Sequence, residues 1–206
     1  MLFKCLELLA VAVIAYLIGS INFSVIISKK VAGFDVREKG SGNAGSTNVL
    51  RTVGKKAAIV TLICDILKGV VSILLAKLMG NIWGELDKEL LVQLAGIFVI
   101  LGHTFPIFFK FKGGKGVATS LGVILTTNWQ IGLICLVFAL VLMALTQMVS
   151  VGSVAAAILY PVLTIFMAGS YTISAIVVAV LVVFNHRENV KRILSGTENK
   201  ISFKKN

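Results

Sequence analysis

The chain has 206 residues, of which 57% are hydrophobic and only 14% are charged, and its formal net charge at pH 7 is +11. An ordinary soluble domain has about 25% charged residues, and a chain this apolar would expose large hydrophobic patches in water. The composition therefore excludes a disordered chain, a nucleic-acid-binding tail and a typical cytosolic globule. It predicts an all-α, polytopic membrane helix bundle.

Apolar stretches along the chain predict seven membrane-spanning helices, since one span needs about 20 apolar residues. The first three lie between Glu7 and Lys29, over 57–79, and between Glu89 and Lys110. Four short spans fit the uncharged run 116–186, which has breaks near 126–130, 146–150 and 168–171. Two spans with re-entrant segments are the alternative for that run.

The basic residues predict the orientation of these spans. Most of the 20 lysines and arginines lie in three segments, 29–56, 110–115 and 187–205, whereas the segment 80–89, which includes Glu85, is acidic. Short basic loops stay on the cytoplasmic side of a membrane. We therefore expect the N-terminus outside and the C-terminus inside.

The polar segments are too short to form a separate soluble domain. We expect one integral-membrane domain over 1–206, with its chemistry at the membrane surface. The three cysteines, Cys5, Cys64 and Cys135, have no metal-like spacing and are expected to be small apolar residues. The two histidines and scattered carboxylates form no recognisable ligand set, so neither a metal nor a cofactor is expected.

The first cytoplasmic loop contains the glycine-rich run GSGNAGSTNVLR. A dinucleotide-binding motif is excluded because no strand precedes it, but closely spaced glycines allow backbone N–H groups to form an anion-binding nest. The small polar side chains add donors, and the final arginine suits bidentate phosphate contact. A flexible polar linker is the alternative. The candidate residues are Gly40, Ser41, Gly42, Asn43, Gly45, Thr47, Asn48 and Arg51.

The second loop reads GHTFPIFFKFKGGKG, at 102–116. It is not a P-loop, because Gly116 stands where a serine or threonine would follow the lysine. We expect the pair Gly113 and Gly114 to offer exposed amides to an anion. Lys115 would add an ammonium group where the next helix opens with its positive end.

The third element reads HRENVKRILSGTE, at 186–198, and follows the last span directly. His186, Asn189 and Arg192 recur at helical spacing and predict one polar face. A basic juxtamembrane helix attracted to anionic lipid is the alternative. That lipid-facing role is expected for three residues of the tail, Lys200, Lys204 and Lys205.

Charged groups also occur within the second and third spans. Asp65 and Lys68 stand three residues apart and are expected to pair, either holding helices together or lining the site. Lys77 is expected to snorkel outward. His103 has two equal interpretations, a structural hydrogen bond or a site role. Pro106 is expected to end or kink the third span.

Two further segments, YLIGSINF at 16–23 and CDILKG at 64–69, accompany the three loops. Together, in this order and over nearly the whole chain, these segments resemble the acyl-phosphate:glycerol-3-phosphate acyltransferase family of bacterial membranes. The resemblance implies seven spans, an external N-terminus, and an active site on the cytoplasmic face of the bacterial cytoplasmic (inner) membrane. It implies acyl transfer from acyl phosphate to the 1-hydroxyl of glycerol 3-phosphate, giving lysophosphatidic acid and inorganic phosphate.

The resemblance carries over to site residues by motif. In the resulting hypothesis Arg51, Lys115 and the glycine amides hold the phosphates, while Ser41 and Asn189 orient the substrates. His186 is either the general base or a phosphate ligand, because a phosphate monoester has a second pKa of about 6 and can itself take the proton. The substrate-binding residues outside the first loop are Gly113, Gly114, Ser150, Arg192 and Glu198.

The chain departs from the family pattern before Ser150. The family commonly has Arg-Tyr where this chain has Gln147 and Met148, so the short turn lacks a cation. A membrane carrier for phosphate or organic phosphate is the alternative function, but it would need polar residues through several spans and usually an inverted repeat. The expected partners are the two substrates and membrane lipid, with no nucleic acid, and the protein is expected to be a monomer.

Overall fold

The computed structural model describes residues 2–84 and 86–201, and all regular structure in these residues is helical. The all-α prediction is confirmed. Glu85, Lys204 and Lys205 lie outside the described residues. Short 3-10 turns cover Val36–Glu38, Ile107–Phe109 and Gly169–Tyr171. The α-helices are α1 Leu2–Gly19, α2 Phe23–Ala32, α3 Ser46–Thr52, α4 Lys55–Trp83, α5 Lys88–Thr104, α6 Val117–Thr127, α7 Trp129–Thr146, α8 Val149–Met167, α9 Thr172–Asn185 and α10 Arg187–Leu194.

Among the described residues, five helical segments are long and apolar enough to cross a membrane. They are Leu2–Ala32, Lys55–Trp83, Lys88–Phe109, Trp129–Thr146 and Val149–Met167. The segment formed by α9 and α10 would be a sixth, with a bend of 60° between the two helices. A multi-pass membrane protein follows from these segments, while the count of seven spans and their orientation stay predictions.

The uncharged run 116–186 forms four helices, α6 to α9, and its breaks fall at the three predicted places. Asn128 starts α7 because its side-chain oxygen accepts a hydrogen bond from the Ile131 amide at 3.1 Å. Gln147 ends α7 in the left-handed conformation, with φ +60°. Pro161 lies inside α8, which continues past it to Met167.

The first apolar segment is longer than the charge pattern predicts, and it is divided. Glu7 does not mark the outer edge of the helix, because α1 begins at Leu2 and buries the Glu7 side chain. The division falls at Asn22, whose side-chain oxygen caps α2 by accepting from the Val25 amide at 3.2 Å. Because the helix breaks here, backbone carbonyls at the end of α1 lack helical partners. The ammonium of Lys68 donates to two carbonyls in this stretch.

The described residues form two compact units, 2–127 and 128–201. In the first unit α1 packs along α5, and α4 packs against both α5 and α6. In the second unit α8 packs between α7 and α9. The single domain expected over 1–206 remains a prediction.

Close approach of α1 and α5 depends on glycine. A Cβ at Gly102 would meet the backbone of Tyr16 and Gly19 on α1, so any larger residue would push the two helices apart. This contact brings the end of α5, and with it the start of the second loop, against α1.

The ammonium of Lys77 donates to the Thr126 carbonyl at 2.8 Å, near the end of α6. Its outward direction in the membrane stays a prediction. The carbonyls of a final helical turn lack intrahelical partners, so a cation there satisfies one of them and complements the helix dipole.

Candidate active site

Asn48 organises the first loop from inside. Its side chain is 1% exposed, its amide nitrogen donates to the carbonyls of Val36 and Lys39 at 2.9 and 3.0 Å, and its oxygen accepts from the Ser41 amide at 2.9 Å. Since these bonds use most of its polar capacity, Asn48 holds the loop in shape. Gly40 completes this turn with φ +61°, and a Cβ there would collide with the Asn48 side chain.

The remaining polar groups of the first loop are more accessible. Ser41 and Gly42 are exposed, and Gly42 has φ +70°, which turns the chain back toward α3. Thr47 and Arg51 stand four residues apart on α3 and therefore share one face of that helix. Arg51, at the end of that face, is exposed. The loop thus presents a hydroxyl and a guanidinium on a rigid turn.

Asp35 and Arg37, which the sequence did not single out, join the first loop to the second. We call this pair the Arg37 strap. Arg37 makes a two-bond contact with the Asp35 carboxylate, at 2.9 and 2.8 Å. Its third nitrogen donates to the carbonyls of Phe109 and Lys112, at 2.8 and 3.0 Å. The Arg37 hydrogen bond lowers the pKa of Asp35 to about 2, so the strap is ionised at neutral pH.

The two carbonyls held by Arg37 enclose an unusual turn of the second loop. Lys110 and Phe111 both have left-handed φ angles, 58° and 57°, which cost free energy for residues with side chains. Pro106 ends α5 as predicted, and its carbonyl accepts from the Phe111 amide at 3.0 Å. The Arg37 contacts therefore stabilise a backbone conformation that the loop sequence does not itself favour.

Gly113 and Gly114 close the end of α5. Their amides donate to the carbonyls of Thr104 and His103, both at 3.1 Å. Glycine is required here by space, since a Cβ at either position would run into backbone. The amides of Gly113 and Gly114 are therefore already hydrogen-bonded within the protein, and their contact with a phosphate stays a prediction.

Lys115 follows this glycine pair directly and precedes α6, as predicted. Its side chain is half-buried, and Gly116, with φ +86°, turns the chain into the helix. An ammonium beside a helix N-terminus adds its charge to the partial positive charge of the unpaired amides. Lys115 thus brings its charge to the start of α6.

A buried charged cluster lies behind the second loop and comprises Asp65, Lys68 and His103. The Lys68 ammonium is 3.0 Å from Asp65 Oδ1, and His103 Nδ1 is 3.5 Å from the same oxygen. The predicted pairing of Asp65 with Lys68 is therefore confirmed. Lys68 also donates to the carbonyls of Gly19 and Ile21, at 3.0 and 3.1 Å, across the break in the first segment.

His186 lies at the 60° bend between α9 and α10 and is 3% exposed. Its Nδ1 is 2.8 Å from the Val182 carbonyl. A carbonyl only accepts, so Nδ1 carries a proton in this arrangement. Consequently Nε2 is an acceptor when the ring is neutral and a donor when the ring is an imidazolium.

Glu198 joins the other predicted residues of the second unit. Its carboxylate accepts from Ser150 Oγ at 2.8 Å, from Asn189 Nδ2 at 2.6 Å and from Arg192 Nε at 2.8 Å. The predicted polar face of α10 thus exists, but two of its members are directed at a protein carboxylate. Burial raises the pKa of Glu198, yet the hydrogen bonds from Asn189, Ser150 and Arg192 outweigh it and lower the pKa below its ordinary value.

The comparisons with known proteins agree with this geometry. The profile of the glycerol-3-phosphate acyltransferase family matches residues 9–196, which include the first two motifs and the third as far as Gly196. A glycerol-3-phosphate acyltransferase of Clostridioides difficile (strain 630) is 46% identical over 196 residues, covering 95% of this chain and 96% of the relative. One of Shouchella clausii (strain KSM-K16) is 42% identical over 204 residues, covering 96% and 98%. The chain belongs to the glycerol-3-phosphate acyltransferase family.

Solved structures support the same family. The fold is similar to the crystal structure of PlsY (YgiH), an integral membrane glycerol 3-phosphate acyltransferase, in its glycerol 3-phosphate form. The TM-score is 0.85 and the identity 35%, and the match covers 95% of this chain and 96% of that chain. The lysophosphatidic acid form of PlsY matches with a TM-score of 0.83 and 34% identity.

In this family member, the cationic loops are predicted by the sequence, whereas the contacts of Asp35 and Arg37 that join two of them are not. The Asp-x-Arg pattern at 35–37 is a signal that could have been used, because an aspartate two residues before an arginine is placed to cap a turn and pair with it. The contact of Glu198 with Ser150 had no comparable local signal, since the two residues are 48 positions apart.

Replacing Glu198 with glutamine is expected to destabilise the second unit by about 2–3 kcal/mol, because an amide NH₂ would face one of the three donors that now bind the carboxylate. Thermal unfolding in detergent measures this loss. The lowered pKa means that the carboxylate stabilises the fold above its ordinary pKa and ceases to do so as the pH falls through the lowered value. The difference between wild type and variant should therefore shrink in acid.

Glu188→Gln is the matched control. Glu188 pairs with Lys191 at 3.2 Å on α10, but both side chains are exposed. Exposed pairs contribute little, so a loss of less than about 0.5 kcal/mol is expected. Equal losses for the two variants would contradict the structural role assigned to Glu198.

Proposed function

We propose that this protein transfers an acyl group from an acyl phosphate to the 1-hydroxyl of sn-glycerol 3-phosphate. The products are 1-acyl-sn-glycerol 3-phosphate, which is lysophosphatidic acid, and inorganic phosphate, so the reaction is the first acylation step of phospholipid biosynthesis. The observation that carries this proposal is membership, over nearly the full chain, in a family whose members are named glycerol-3-phosphate acyltransferases. The acyl-phosphate donor is supported by the cationic loops, because such a donor brings a second phosphate to the site.

The chemistry requires little of the protein beyond positioning and charge. The glycerol hydroxyl oxygen attacks the carbonyl carbon, the bond between that carbon and the bridging phosphate oxygen breaks, and the hydroxyl proton ends on a phosphate oxygen. An acyl phosphate is already activated, so no covalent enzyme intermediate is needed. Binding and charge stabilisation are then sufficient for a large acceleration.

We assign charge stabilisation to Arg51 and Lys115. Both cations belong to the first unit, and their loops are tied together by the Arg37 strap. Ser41 and Thr47 supply accessible hydroxyl groups on the first loop, where they orient a bound phosphate or hydroxyl. Because the amides of Gly113 and Gly114 are already bonded, the second loop contributes through the ammonium group of Lys115.

In the second unit we assign substrate contact to His186, with Asn189 and Arg192 oriented by Glu198. We propose that His186 is a phosphate ligand and that a substrate phosphate takes the proton. Since Nδ1 donates to Val182, Nε2 can donate to phosphate only when the ring is an imidazolium. A general base, in contrast, would need the neutral ring.

These two roles for His186 predict opposite pH dependence for His186→Asn. If His186 is a phosphate ligand, wild-type turnover falls as rising pH removes its charge, and the variant should lose that basic-side decline. If His186 is the general base, the variant should instead lose the decline on the acid side. Profiles of kcat/KM against pH distinguish the two roles, and an overall reduction of about 10²-fold or more is expected for the variant.

The function itself is tested by phosphate release from purified protein in detergent. Palmitoyl phosphate and glycerol 3-phosphate together should give inorganic phosphate and lysophosphatidic acid in equal amounts, whereas either substrate alone should not. Phosphate uptake into liposomes containing the protein, with no release of phosphate from the substrates, would instead indicate a carrier.

We also propose seven spans in the bacterial inner membrane, with the N-terminus outside, the active site on the cytoplasmic face, and a monomer as the working form. The basic loops support this orientation. In a cysteine-free background, a membrane-impermeant maleimide added to intact spheroplasts should label Asp87→Cys but not Lys112→Cys. Labelling of Lys112→Cys alone would indicate the opposite orientation in the membrane.

A further inference from the structure

The buried cluster of Asp65, Lys68 and His103 is not used by the proposed chemistry. All three side chains are at least nine-tenths buried, and they lie within segments that cross the membrane. Charged groups at such depth are costly and are rarely kept without a function. Their contacts lead from α1, through α4 and α5, to the backbone next to Lys115.

The cluster is anchored at its base by Lys68. Its ammonium has three oxygen neighbours, the carbonyls of Gly19 and Ile21 and the carboxylate of Asp65, all within 3.1 Å. Two hydrogen bonds to carbonyls and an ion pair with Asp65 fix the ammonium in place. Asp65 is therefore held at a defined position on α4, with one oxygen 3.5 Å from His103 Nδ1.

His103 connects this anchor to the second loop in two ways. Its carbonyl accepts from the Gly114 amide at 3.1 Å. Its ring occupies the space that a side chain at Gly114 would need, because a Cβ there would meet Nε2 and Cε1 of the imidazole. The ring therefore packs directly on the residue that precedes Lys115.

We propose that His103 is a positioning residue for acyl transfer. The Asp65 carboxylate sets the orientation of the imidazole, the imidazole supports Gly114, and Gly114 determines where Lys115 presents its ammonium to a phosphate-bearing substrate. The inference rests on the proposed function for its kinetic consequence, but the structural coupling of His103 to the loop does not depend on it.

The kinetic test uses His103→Ala and the more conservative His103→Gln. Misplacing a catalytic group by about 1 Å can cost about 100-fold, and we expect a loss of that order in kcat/KM for glycerol 3-phosphate with His103→Ala. Glutamine retains length and an N–H group for Asp65, so His103→Gln should recover part of the loss. In a Lys115→Arg background, where the cation is already displaced, His103→Ala should cost less than about threefold more.

A second measurement needs no substrate. Hydrogen–deuterium exchange of the peptide containing Gly113–Gly116 should become about tenfold faster in His103→Ala, because opening of the loop limits exchange of a bonded amide. Leu91→Ala is the control, since Leu91 is fully buried on the same helix but at its opposite end. It should lower stability without accelerating exchange at Gly113–Gly116.

The outcomes separate the two proposals. The positioning role of His103 would be overturned if the kcat/KM losses of His103→Ala and Lys115→Arg multiply in the double variant. It would also be overturned if exchange at Gly113–Gly116 is no faster in His103→Ala than in Leu91→Ala. A wild-type protein that releases no phosphate from palmitoyl phosphate with glycerol 3-phosphate would overturn the proposed function. In that case the exchange measurement still decides whether His103 supports the loop.

Discussion

Replacing Arg51 or Lys115 with alanine is expected to lower kcat/KM by about 10³-fold or more. Each cation is assigned to charge that develops on the carbonyl oxygen or the departing phosphate, and removing one preorganised donor of this kind costs about 10²–10³-fold in other enzymes. A unit charge opposite a phosphate should lie at or above the upper end of that range. The two residues belong to different loops, so the effects test each loop separately.

The measurement is phosphate release under saturating palmitoyl phosphate, with kcat and KM for glycerol 3-phosphate determined for each variant. Lys55→Ala and Lys112→Ala are the matched controls. Both lysines are exposed, and they lie close in sequence to Arg51 and Lys115 respectively. Each control should stay within about threefold of wild type, because neither side chain is assigned a contact with substrate and exposed charges at a distance are screened by salt. If Arg51→Ala or Lys115→Ala keeps the wild-type kcat, the assignment of that residue to the active site is wrong.

Lys115 shows what charge and composition can predict and what they cannot. A cation after two glycines at the start of a helix follows from the sequence, and the structure has that arrangement. The use of the glycine amides does not follow, because it depends on the carbonyls of His103 and Thr104 coming within 3.1 Å of them. A glycine pair looks the same in sequence whether it binds an anion or permits close packing.

The breaks in the run 116–186 were predictable for a related reason. Asn128 and Gln147 act locally, by capping the start of α7 and ending it, and local chemistry is visible in sequence. In contrast, Arg37 and Glu198 act on groups 72 and 48 residues away, respectively. Nothing in the neighbouring sequence identifies these distant partners, so Arg37 was not singled out and Glu198 was expected to bind substrate rather than Ser150.

Lys68→Met is expected to destabilise the protein by about 3–5 kcal/mol, because it leaves the Asp65 carboxylate buried without its cation. The midpoint of thermal unfolding in detergent measures this effect. Lys77→Met is the matched control on the same helix. Among the described residues, Lys77 binds a carbonyl at 2.8 Å and pairs with no carboxylate, so its loss strands no buried charge there and should cost about 1 kcal/mol. Equal losses in both variants would contradict the buried pair.

The double variant Asp65→Val with Lys68→Met separates stability from positioning. Apolar residues of similar volume often replace a buried ion pair without loss, so most of the stability lost in Lys68→Met should return. If the pair only holds α1 and α4 together, turnover should return with stability. If Asp65 orients His103 behind Lys115, turnover should stay as low as in His103→Ala, because valine cannot hold the imidazole. A stable protein with low turnover would therefore show that a charged pair is retained within the membrane for the geometry of the loop.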